Sequence, residues 1–364
     1  MNISMYIDHE TKTLISSLKK SFSLDIISAI NIYCLYCTIL YNQSQIFHQF
    51  PALKLDLEKF LEKYNSWDEK IILWCSTWAD SMFLLYQLLD TKFRDNIIVA
   101  FFNHNTRVQC AEEERFIVEL WKKEWFTVEV ADCDFDKIMK LYPSKGFEEL
   151  AREKRYQFFD ALMHIHSAKY VMTAHHLDDR IETMMFNMIR GTKLTWLINM
   201  TLESWIMLRP LIWVKKGDIY EYLQENNLKY FEDESNNSND YSRNYIRNEV
   251  IPSFKHIHPE YQKNISQLLN YFEVLKEYID SEVLEFLWKY DTKFFSIKNF
   301  LWLSPLLQKE IIRYIYFITN NKSTIWLTES NINEVIRFMN WKNNKTKKEI
   351  QGMKLFKDWD NILY

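Results

Sequence analysis

Two short segments carry side chains whose types and spacing could do chemistry. The first, Ser76-Thr77-Trp78-Ala79-Asp80-Ser81, joins an apolar run to a helical stretch. A turn from strand to helix aims successive backbone N–H groups and a helix N-terminus at one point, which suits an anion such as phosphate. Ser76 and Ser81 add hydroxyls, and Asp80 either caps the helix or holds a divalent cation that neutralises phosphate. An ordinary capped turn accounts for this segment equally well when it is taken alone. The second segment, Thr173 to Thr183 (TAHHLDDRIET), places Asp179 and Glu182 three apart on one helix face. Paired carboxylates so placed bind magnesium or an ammonium group. His175 and His176 either contact a nucleotide or fill the turn, and acidic residues in a first helical turn also simply complement the helix dipole.

The elements that must position these segments alternate. Lys70–Cys75, Asn96–Phe102, Phe126–Ala131 and Lys169–Ala174 are short apolar runs of strand character,. Between them, Ala79–Leu89, Ala111–Glu124 and Phe147–His166 have helical spacing, and Leu53–Tyr64 precedes them,. The alternation predicts an α/β fold with a doubly wound, mainly parallel sheet, so the polar loops at 76–81, 103–107 and 175–182 should meet beyond the strand ends. Strand signals stop near residue 245, and Gln262–Leu287, Leu303–Phe317 and Asn331–Met339 predict a smaller helical domain. Asp233–Asp240 reads as a linker or substrate loop, and Lys348–Phe356 with Asn361–Tyr364 as a short hairpin around 357–360,. The expected organisation is therefore an extension over 1–51, a catalytic domain over 52–245, a helical domain over 246–345 and a hairpin over 346–364.

With 364 residues, 48% of them hydrophobic and only 6 Pro, the chain should fold, as roughly two domains,. A net charge of -4 excludes a wholesale polycation but leaves room for one basic face,. Five scattered cysteines predict reduced thiols and a cytoplasmic location, and the Cys34/Cys37 pair has no second ligand pair and predicts core packing,. The apolar run Ile26–Tyr41 is short and interrupted by Asn31, which predicts no membrane span,.

In this order the segments resemble the PP-loop ATP pyrophosphatases, and within them the tRNA(Ile)-lysidine synthetases. Ser76–Ser81 is similar to that family's S-G-G-x-D-S loop, and Asn103-His104-Asn105-Thr106-Arg107 to its N-H-x-x-R. His175–Thr183 matches H-H-x-D-D-x-x-E-T, followed in family order by Asn187–Gly191, Arg209-Pro210-Leu211 and Tyr241–Arg247. The resemblance covers about residues 65 to 260. It implies an adenine nucleotide alpha hydrolase-like fold that uses ATP and Mg2+. The implied reaction adenylates the wobble cytidine of an isoleucine tRNA with a CAU anticodon, after which free L-lysine displaces AMP. It implies ATP contacts from Ser76, Thr77, Trp78, Ala79, Asp80, Ser81, His104, Arg107 and His175. Asp80 and Asp179 are implied as catalytic and metal carboxylates, and Glu182 as the acceptor of the lysine ammonium. Arg190, Arg243, Arg247 and Lys255 fall to tRNA phosphates, joined by Lys342, Lys345, Lys347 and Lys348; homodimerisation is left open. A PP-loop tRNA thiolase, which would want cysteines near the site, and a tRNA-binding paralogue with a dead nucleotide site are the competing readings.

The chain departs from the resemblance at Thr77 and Trp78, which stand where the family has glycine. An indole at residue 78 is expected to block the pyrophosphate position and to pay for positive φ, whereas Thr77 is expected to be tolerated. Trp125, Trp196, Trp205 and Trp359 also fall at expected turn sites. The chain has 4 Gly against 13 Trp, where ordinary usage predicts about 25 Gly,. Reading every Trp as Gly would give 17. The pattern predicts a source that decodes UGA as glycine, with the sequence written out as if UGA were tryptophan; a decayed paralogue is the rival account.

Overall fold

The computed structural model describes residues 57–64, 69–103, 109–198, 200–204, 206–232, 242–290, 293–320, 327–341 and 345–364. The expectations for residues 1–51, His104, Arg107, Lys342, Trp205 and the 233–240 loop lie outside the described residues. The chain divides into two compact units, residues 1–266 and 267–364.

In the first unit, β1 (Ile71–Trp74), β2 (Ile97–Asn103), β3 (Thr127–Asp132), β4 (Tyr170–Met172), β5 (Glu203–Ser204) and β6 (Met207–Leu208) form a sheet ordered β3-β2-β1-β4-β6-β5. All pairs are parallel except β5 with β6. β1 and β2 are unbroken apolar runs because helices cover both faces of the sheet. Alternate residues serve opposite faces: Ile71, Leu73, Val99 and Phe101 pack with Leu57, Phe83 and Leu223, while Ile72, Ile98 and Ala100 pack with Phe159 and Leu162. The chain runs outward from β1 through β2 to β3, then returns to the other side of β1 with β4. That reversal opens a crevice beyond the carboxyl ends of β1 and β4. The helices Ala79–Leu89 and Leu177–Ile189 start at this crevice.

The second unit carries more strand than the single hairpin expected over 346–364. β7 (Phe294–Ser296), β8 (Thr346–Ile350), β9 (Met353–Asp358) and β10 (Asn361–Leu363) form an antiparallel sheet ordered β7-β10-β9-β8, beside the helices Pro305–Thr319 and Glu329–Met339. The run expected as one strand over Lys348–Phe356 is broken at Gln351 and Gly352, with φ of 48° and 87°. Ile350 therefore pairs with Met353 across a two-residue hairpin loop. A Gln-Gly pair is a weak turn signal beside Asn-Gly or Asp-Gly, and a three-residue strand such as β7 has no measurable period. The buried Lys357 ammonium donates to the carbonyls of Met339 (2.9 Å) and Trp341, capping the end of the helix Glu329–Met339,.

Candidate nucleotide and cation site

The turn after β1 is closed by its own serines. Ser81 Oγ accepts the Ser76 N–H at 3.1 Å, donates to the Trp78 carbonyl at 3.0 Å and lies 3.1 Å from Ser76 Oγ. The helix Ala79–Leu89 begins without a side-chain cap, because its N-cap residue is Trp78. An uncapped N-terminus leaves orphan N–H donors for an anion. The backbone strain falls one residue earlier than expected: Thr77 has φ 64°, whereas Trp78 has φ -77° and ψ 163°. The expectation of positive φ at residue 78 is thus corrected. The turn bends at the residue after Ser76, and Trp78 is already extended as the helix begins.

Trp78 lines a cavity of about 130 Å³ with Trp74, Ser76, Phe101, Phe102, Asn103, Cys110, Glu113 and Arg155. Asn103, Glu113 and Arg155 were not singled out as site residues from the sequence. Arg155 stacks on the Trp74 ring at 5.0 Å, and Nε of Arg155 has no hydrogen-bond partner in the structure. Burial lowers the Arg155 pKa.

Across the crevice, the turn after β4 holds two adjacent histidines in opposite states. Burial pushes His175 down to about 4, and its Nδ1 lies 2.8 Å from Thr173 Oγ1, so the ring is neutral. Burial also disfavours charge on His176, but Asp179, Asp80 and Asp178 outweigh it and raise the ring to about 9. His176 Nε2 lies 3.5 Å from Asp80 Oδ2 and 3.4 Å from Asp179 Oδ2. The Asp179 N–H to Nδ1 distance of 3.4 Å is long for a hydrogen bond and would need a neutral ring,. The surrounding carboxylates favour the imidazolium, and the helix start is held instead by Asp179 Oδ2, which accepts the His176 N–H at 3.0 Å. Asp179 would be raised by burial, yet the His176 charge, the His176 N–H and Arg247 hold it below the usual carboxylate range.

Asp179 and Glu182 do share a face, and one guanidinium spans them. Arg247 donates from Nε and a terminal nitrogen to both Glu182 oxygens at 2.6 and 2.7 Å, and to Asp179 Oδ1 at 3.4 Å. Burial pushes the Glu182 carboxyl up, and the Arg247 fork counters it. Arg247 is therefore engaged with carboxylates here rather than open to phosphate. Asp178 takes a positioning role that was not foreseen: it accepts the Lys216 N–H at 2.8 Å and the Gln262 amide at 2.7 Å. Arg190 and Arg243 are exposed and both stack on Phe186, at 5.1 and 5.6 Å, and Lys255 is also exposed. Of the lysines expected at the second unit's edge, Lys345 and Lys347 are exposed, and Lys348 pairs with Glu334.

The His176 charge makes a checkable prediction for the metal-free protein. A ring raised from 6.5 to about 9 contributes stability that is present below pH 6.5 and lost as pH rises through 9,. In EDTA, unfolding free energy should fall by on the order of 3 kcal/mol over that window, and His176→Gln should flatten the profile. A flat profile in the unsubstituted protein would mean that the ring is neutral.

Among the described residues no group of three or more His, Cys, Asp or Glu is arranged to hold a metal ion. A magnesium ion that bridges phosphates needs only one or two protein carboxylates. Asp80 and Asp179 could supply that donor set, and the buried Asp80 Oδ1 has no hydrogen-bond partner among the described residues. Among the described residues no helix is long and apolar enough to cross a membrane.

The tRNA(Ile)-lysidine synthase of Staphylococcus aureus (strain COL) is 33% identical over 246 residues, 65% of this chain and 53% of that protein. The protein of the same name from Petrotoga mobilis (strain DSM 10674 / SJ95) is 34% identical over 217 residues, 58% of this chain and 68% of its own length. The chain spans about half the length of the staphylococcal relative. Among solved structures, the U34-tRNA thiolase NcsA from Methanococcus maripaludis, with its 4Fe-4S cluster, is similar in fold at a TM-score of 0.50 and 18% identity, covering 62% of this chain and 78% of that one. The PP-loop domain family matches residues 51–254, which contain the whole switch-point sheet and both turns that face its crevice, and the chain belongs to that family.

Proposed function

We propose that the chain is an ATP-dependent ligase that attaches free L-lysine to the wobble cytidine of an isoleucine tRNA with a CAU anticodon. The observation that carries this reading is the juxtaposition of an uncapped helix N-terminus with an acidic pair, buried Glu182 and half-buried Asp179, that already grips the Arg247 guanidinium. One side suits the polyphosphate of ATP and the other the ammonium of lysine. ATP transfers its adenylyl group to the C2 oxygen of cytidine, with pyrophosphate leaving. A lysine amine then forms the new C–N bond as AMP departs.

In this scheme the N–H groups at Ala79 and Asp80, with the Ser76 and Ser81 hydroxyls, stabilise the charge that develops on pyrophosphate. Magnesium, when bound, supplies further neutralisation, and Asp80 and Asp179 would hold it. Glu182 receives the lysine ammonium, and Arg247 occupies that carboxylate in the absence of lysine. His175, neutral and half-buried, shapes the wall of the turn. Arg190, Arg243 and Lys255 contact tRNA phosphates in this reading, which their exposure supports,.

A thiolase reading finds less support in the thiols. Cys75, Cys110 and Cys133 are free, but burial pushes Cys75 up to about 11, far from a reactive thiolate,. The test is incubation of the Trp78→Gly chain with ATP, magnesium, labelled lysine and the tRNA transcript. Label should enter the RNA only when ATP is present. Tight ATP binding without lysine transfer would sink the ligase reading.

A further inference from the structure

Six tryptophans among the described residues are exposed: Trp121, Trp125, Trp288, Trp302, Trp341 and Trp359. Trp125 and Trp302 reach 86% and 83%. Exposed indoles gathered in one patch would mark a docking surface, but most of these fall singly at helix ends and turns. Trp288 and Trp302 are the last residues of their helices, and Trp341 follows the C-cap Asn340. Trp121, inside a helix, is the exception.

Two positions go further. Trp125 is the C-cap of the helix Cys110–Glu124, at φ 56° and ψ 44°, and its N–H bonds to the Trp121 carbonyl. This is the left-handed helix end for which glycine is the usual residue. Trp359 and Asp360 form the two-residue loop between β9 and β10, and only Trp359 of the two has positive φ, 53°. Glycine commonly takes the first place of such a loop. A docking surface needs exposed rings but makes no demand on φ. Trp accounts for 13 of 364 residues, yet for two of the seven non-glycine residues with positive φ among the described residues. A bulky aromatic there is an outlier. Trp196 does not belong to this group, since it lies within the helical turn Leu194–Leu197.

We infer that residues 125 and 359 are glycine in the protein as its source makes it, a codon written here as tryptophan being decoded there as glycine, and that residue 78 is glycine by the same decoding. The assignment at 78 rests on the nucleotide reading above. Those at 125 and 359 do not, because neither residue lines the candidate site.

Tandem mass spectrometry of peptides from protein isolated from its source reads the residues directly, with glycine expected at 125 and 359. In recombinant protein, Trp125→Gly and Trp359→Gly should each raise the thermal midpoint by roughly 2 to 4 °C, and Trp125→Ala should not. Tryptophan in both native peptides overturns the inference. Glycine in both, together with a Trp78→Gly chain that still binds no ATP, would uphold it while removing the nucleotide reading.

Discussion

Trp78→Gly should raise affinity for ATP by roughly 100-fold or more, about 3 kcal/mol, in isothermal titration with magnesium present. Trp78 lines the cavity beside Ser76, Asn103, Glu113 and Arg155. It is also the N-cap residue of the helix whose first N–H groups would meet a phosphate. The φ of -77° at this residue makes the obstruction steric rather than conformational. Trp78→Ala should therefore recover most of the gain, because alanine removes the ring and needs no left-handed backbone. The strain belongs to Thr77, at φ 64° and fully buried, and Thr77→Gly should add to either variant,. Equal ATP affinity in the unsubstituted protein and Trp78→Gly would refute the blocked-site account.

In the Trp78→Gly background, Asp80→Asn and Asp179→Asn should each lower tRNA-dependent ATP–pyrophosphate exchange by roughly 100- to 1000-fold, the scale on which removing one charge-stabilising group acts. Both carboxylates converge on His176 Nε2, and Asp80 keeps one oxygen without a partner. Asparagine is the sharper substitution at 179, because it can still accept the His176 N–H and hold the helix start, whereas alanine would also remove a cap worth about 1 kcal/mol,. tRNA affinity should stay within about twofold, since neither carboxylate is placed for RNA phosphates. If exchange persists at full rate in Asp80→Asn, that side chain serves only to charge His176.

Much of this protein is determined within short windows of its sequence. The apolar runs of β1 and β2 and the helices Ala79–Leu89 and Phe147–His166 follow from local hydrophobic patterning, so the switch-point sheet and the two turns facing its crevice are legible without coordinates,. Asp179 and Glu182 share a face because they are three apart in a helix, which is also a local fact. Tertiary structure decides what lies between distant segments. Arg247 reaches Glu182 across 65 residues, Gln262 reaches Asp178 across 84, and Arg155 comes to the cavity from a helix on the far side of the sheet. The place of β7 in the antiparallel sheet of the second unit belongs here too, since β7 pairs with β10 from far along the chain and carries too few residues to show a period. Backbone torsions are settled at the same level. The resemblance marked Thr77 and Trp78 alike as replacements for glycine, but the turn takes its left-handed bend at the first, because the second must already be extended to start a helix.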